Sequence, residues 1–63
     1  MGERLVSLYD FVKEKSGAKG MMRLAVMTMV PSKKAPEAED TPETIARFRK
    51  AIRLITDEEA PEV

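Results

Sequence analysis

The chain has no cysteine and no histidine. No disulfide can staple it, and the usual thiolate and imidazole ligand sets for zinc are missing. Aromatic side chains are limited to Tyr9, Phe11 and Phe48, so any core must be aliphatic and methionine-rich. Glycine is too sparse to cradle a phosphate, because "GAKG" lacks both the spacing and the following Ser or Thr of a phosphate loop. The longest nearly uncharged stretch, "LAVMTMV", is far too short to cross a bilayer. An excess of either charge is also lacking: eleven basic and eleven acidic groups cancel. A dedicated nucleic-acid binder normally carries a basic excess, so this balance counts against one. Nothing in the sequence asks for a metal or a cofactor.

What is present amounts to one small domain, residues 1–63. A chain of this size buries only about 60% of the surface its unfolded form exposes. Small proteins usually add disulfides, a metal or a partner chain. With the first two removed, oligomerisation is the stabiliser to expect. The charge is also unevenly spread. Residues 1–35 hold seven basic and three acidic groups, and residues 36–63 hold four basic and eight acidic. The opening "MGERLVS" does not resemble a secretory signal, and Val6 stands where N-myristoylation after Gly2 would want Ser or Thr. A cytoplasmic protein without membrane attachment is the expectation.

Three helices are predicted, near residues 3–16, 19–30 and 41–56. In the first, Leu5, Leu8, Tyr9 and Val12 repeat at i, i+3, i+4 and i+7 and form one apolar stripe. Lys13 and Lys15 suit the negative end of its dipole, and Gly17 suits a left-handed terminus. The second, "MMRLAVMTMV", has only Arg23 and Thr28 as polar members, and a helix apolar all round is normally buried. Leu, Ala and the methionines favour helix there, whereas Val26, Thr28 and Val30 favour strand; helix is the reading adopted. Pro31 ends it, since the residue before proline avoids the helical region. Residues 31–40 are expected to be an extended, mobile polar linker. In the third helix Thr41 (or Asp40) caps the start, Pro42 occupies the first turn and Glu43 faces the positive dipole end. Ile45, Phe48, Ala51, Ile52 and Ile55 make its apolar stripe. Residues 57–63 carry too much negative charge for a helix C-terminus and are expected to fray.

Residues 23–34, "RLAVMTMVPSKK", match part of a helix-turn-helix. Leu24-Ala25, Thr28, Val30 and Ser32 fall where that motif places a packed helix, a turn and a buried branched residue. Two features oppose it. Met29 occupies the usual glycine position, where a positive φ is costly for a side chain. Pro36 would lie inside a recognition helix starting near Ser32, at a cost of about 3 kcal/mol. A helix-ending proline is the simpler account.

Two further groups merit attention. Lys33, Lys34, Arg49, Lys50 and Arg53 (with Arg47) are the candidate face for an anion or an acidic partner, the alternative being a solvated helix surface. Met21, Met22, Val26, Met27 and Met29 are the candidate oligomer or partner interface, because methionine adapts to more than one partner shape. Catalysis has no support beyond Asp10 beside Tyr9, every acid lying in a polar context.

The expected fold is therefore all-α: a small three-helix unit, a helical hairpin plus a C-terminal amphipathic helix, assembled into an oligomeric bundle. The expected function is a non-catalytic interaction module or adaptor acting as a homo-oligomer, or binding another protein. The alternative is a small helix-turn-helix-like DNA-binding regulator.

Overall fold

Leu5, Leu8, Tyr9 and Val12 build the helix their spacing predicts, and all four are buried. The computed structural model describes residues 1–62, which form two helices and no strand. Helix α1 spans Glu3–Thr28 and α2 spans Pro42–Thr56. The count thus differs from the three helices expected, and the reason is Gly17. It lies inside α1 with φ 66° and ψ −155°, outside the helical region, while the residues around it stay helical. A straight helix of 26 residues would run about 39 Å at 1.5 Å per residue. The longest dimension of the molecule is 25 Å, so α1 must bend sharply. The hairpin expected through "SGAKG" is present as a break within one helix. Gly17 does adopt the positive φ expected of it, but not the left-handed ψ of a helix cap.

The bend brings Leu24 into one core with Leu5, Leu8, Val12, Phe48 and Ile52. Helix α2 presents Phe48, Ala51 and Ile52 to that core, with Ile45 and Ile55 partly buried beside it. Phe48 meets Tyr9 edge-on, ring centroids 5.8 Å apart at 76°, a geometry worth about 0.5–1.5 kcal/mol beyond area burial. The start of α2 is built as its sequence dictates. The Thr41 hydroxyl accepts from the Thr44 backbone N–H at 3.2 Å, and Pro42 opens the first turn.

Helix α1 ends two residues earlier than expected. The Thr28 hydroxyl donates to the Leu24 carbonyl, and Met29 caps the helix with φ 61°. Its N–H donates to the Ala25 carbonyl at 2.7 Å.

Residues 31–38 are not extended, contrary to expectation. Ala35 N–H donates to Pro31 O at 3.0 Å and Ala38 N–H to Lys34 O at 2.9 Å, giving two helical turns. Pro36 has no N–H, so the turns never join into a helix. Their packing explains why they are fixed: Ala35 is buried, and Gly2 N–H donates to the Pro36 carbonyl. A Cβ on Gly2 would sit 1.6 Å from the Ala35 carbonyl oxygen, so the contact requires glycine. Hydrophilic composition suggests a loose linker, whereas buried Ala35 and its contact with Gly2 tie it down.

The Tyr9 hydroxyl donates to the Val30 carbonyl, joining the first arm of α1 to the turn after its second. Burial pushes this phenol above its ordinary value of 10.0. A raised folded-state value means that the folded chain holds the proton more tightly than the unfolded one. The associated stability is intact below about pH 10 and is lost as pH rises through the folded value. Urea midpoints are therefore expected to be flat from neutrality to pH 9 and to fall above pH 10. Tyr9→Phe should cost about 1 kcal/mol at pH 7 and flatten the alkaline decline. An undiminished decline in that variant would assign it to another group.

Candidate interaction surface

Helical geometry divides residues 18–28 into two sides. Leu24 and Thr28 point into the core and Met21 packs partly against it. The opposite side carries Met22 and Val26, one helical turn apart, and Met29 follows as the left-handed cap residue just past the helix end. Their exposures are 70%, 78% and 86%, and Met27 beside them is 40% exposed. Of the five residues expected at an interface, four are thus on the surface and Met21 is partly buried against the core. The all-apolar helix is buried on one side only, since a hairpin with one further helix has nothing to lay over the other.

Two shallow depressions adjoin the stripe. One, of about 400 Å³, is lined by Met22, Arg23, Val26 and Met27. The other, of about 300 Å³, includes Met29, Val30, Lys34, Glu37 and Ala38. Lys19 and Arg23, four residues apart, follow one edge of the stripe, and Lys34 closes its far end. Among the described residues none of these three cations has an ion-pair partner. From residue 15 to residue 36 the sequence contains five basic side chains and no acid. That segregation is visible in the sequence, but only the fold shows that it surrounds an exposed apolar stripe.

The basic face of α2 is organised differently. The C-terminal segment is not helical, yet it returns along this face. Arg49 donates to the Pro61 carbonyl at 3.1 Å, Arg53 pairs with Glu59 at 3.4 Å, and Glu58 pairs with Lys15 at 3.6 Å. Ala60 is buried. Residues 57–62 thus lie against the domain, which differs from the frayed end expected from charge alone; Val63 lies outside the described residues. The ion pairs are exposed and contribute little each; burial of Ala60 is what holds the segment. Lys50 and Arg47 stay exposed, and Lys33 and Lys34 project from the turns at residues 31–38, so the five candidate cations do not converge on one spot.

Met29 does adopt the positive φ that the glycine position of a helix-turn-helix needs, and Ala35 is buried where a second helix would pack. The recognition helix itself is replaced by the interrupted turns around Pro36. Asp10 is exposed and the Tyr9 hydroxyl is engaged by Val30, so these two do not form a joint site. Among the described residues no cluster of acids is placed to hold a metal, and no helix is long and apolar enough to cross a membrane. No family model, curated protein or solved structure matches this chain.

Proposed function

We propose that this protein is a non-catalytic interaction module that binds a polypeptide through the Met22–Val26–Met29 stripe. One observation carries the reading. Among the described residues ten apolar side chains complete a buried core, and Met22 and Val26 on one helical face, with Met29 at the helix end, are still left exposed. Singly exposed apolar residues are ordinary, whereas a contiguous stripe beside open depressions is the usual mark of a docking surface. Methionine at two of the three positions suits a helix-in-groove contact that tolerates variation in the partner.

Val26→Asp is the decisive substitution because Val26 is 78% exposed. Surface changes of this kind usually alter stability by no more than about 0.5 kcal/mol. The variant should therefore keep its helical content and urea midpoint. Titration of the labelled wild-type chain with helical peptides bearing an i, i+4, i+7 leucine seam should shift amide signals of Met22, Arg23, Val26 and Met29. Val26→Asp should abolish those shifts. If no peptide and no second copy of the chain perturbs this face at millimolar concentration, the reading fails.

A further inference from the structure

Resting on that reading, we infer that the partner presented to the Met22–Val26–Met29 stripe is an acidic amphipathic helix of a different polypeptide. The charges on the rim select it. Lys19 and Arg23 lie one helical turn apart along one edge, and Lys34 stands beside Met29 at the end. All three are unpaired among the described residues, and the one acid at the rim is Glu37. A helix docking its apolar seam on the stripe would place its flanking residues against these cations. Carboxylates spaced i, i+4 would match Lys19 and Arg23, while lysines there would be repelled.

A second copy of this chain is the poorer occupant. A two-fold contact sets each patch against itself. Centred on Val26, such a pairing would bring the Lys19 end of one chain to the Lys34 end of the other, with cations on both sides. An anionic membrane surface is also less suited. Interfacial helices bury bulky aromatic and leucine side chains, whereas this stripe holds two methionines and a valine. Duplex DNA would leave the apolar stripe uncovered and would meet Glu37 beside Lys34.

The probes are three synthetic helices sharing one leucine seam, flanked by Glu, Gln or Lys, with labelled ends for anisotropy. The Glu-flanked peptide is expected to bind at least tenfold more tightly than the Gln-flanked one, and the Lys-flanked peptide not at all. Raising salt from 50 to 500 mM should remove most of the difference, since rim charges are screened. Arg23→Glu should reverse the order of the Glu and Lys peptides, and Val26→Asp should abolish binding of all three. Equal binding of all peptides, lost in Val26→Asp, would overturn the acidic partner and leave the docking face standing. A wild-type dimer by sedimentation that Val26→Asp dissolves would make the occupant a second copy. Binding to phosphatidylserine vesicles or to duplex DNA, with no peptide bound, would overturn both the inference and the reading beneath it.

Discussion

Phe48→Ala is expected to cost about 3–5 kcal/mol, the usual range for emptying a buried aromatic site. Phe48 is fully buried and also loses its edge-on contact with Tyr9. At roughly 0.05–0.15 kcal/mol per residue, a domain of this length holds only about 3–9 kcal/mol in all. The loss is therefore between about a third of the total stability and all of it, and the urea midpoint should fall steeply. Ile52→Ala, one turn further along α2, should cost about 2–5 kcal/mol, and Lys50→Ala between them no more than about 0.5 kcal/mol. Urea unfolding followed by circular dichroism would measure all three. Comparable losses at Ile52 and Lys50 would mean that the wrong face of α2 is buried.

The face of α2 was readable in advance because every local signal agreed. A capping threonine, a first-turn proline and a clean 3.6-residue stripe all placed Phe48 and Ile52 inward. The first arm of α1 was readable on the same grounds. The second arm was not, because an all-apolar run has no periodicity to say which side faces inward. Leu24 and Val26 look alike in sequence, yet one is fully buried and the other is mostly exposed. Only the bend at Gly17 decides between them. The segments around Ala35 and Ala60 are hidden from the sequence for a different reason. Composition marks them as polar, but a single small side chain in each fits against the core and fixes its neighbours. The candidate interface was thus half legible: the methionine-rich segment was evident, while its exposed side and basic rim required the fold.

The bend itself supplies the other large effect, and Gly17 is where to test it. Its φ 66° and ψ −155° lie in a region that is essentially restricted to glycine, where an L side chain costs about 1–3 kcal/mol. Space is not the obstacle, because a Cβ there would meet nothing within 4 Å. Chirality is. The mirror image of this conformation, near −66° and 155°, resembles polyproline II, which an L residue adopts readily. A D residue should therefore accept the native geometry that an L residue resists. Gly17→Ala also favours a continuous helix, since alanine exceeds glycine in helix propensity by about 1 kcal/mol. Straightening would carry Leu24 away from Leu5 and Leu8 and open the core. L-alanine at this position should lower stability by at least about 1 kcal/mol while helical content is kept or raised, and should lengthen the molecule by small-angle scattering. A chemically synthesised chain with D-alanine there should be at least as stable as the glycine form, because the unfolded chain loses freedom and the folded one is unstrained. Equal stability of the L and D forms would show that the bend does not depend on the backbone handedness of residue 17.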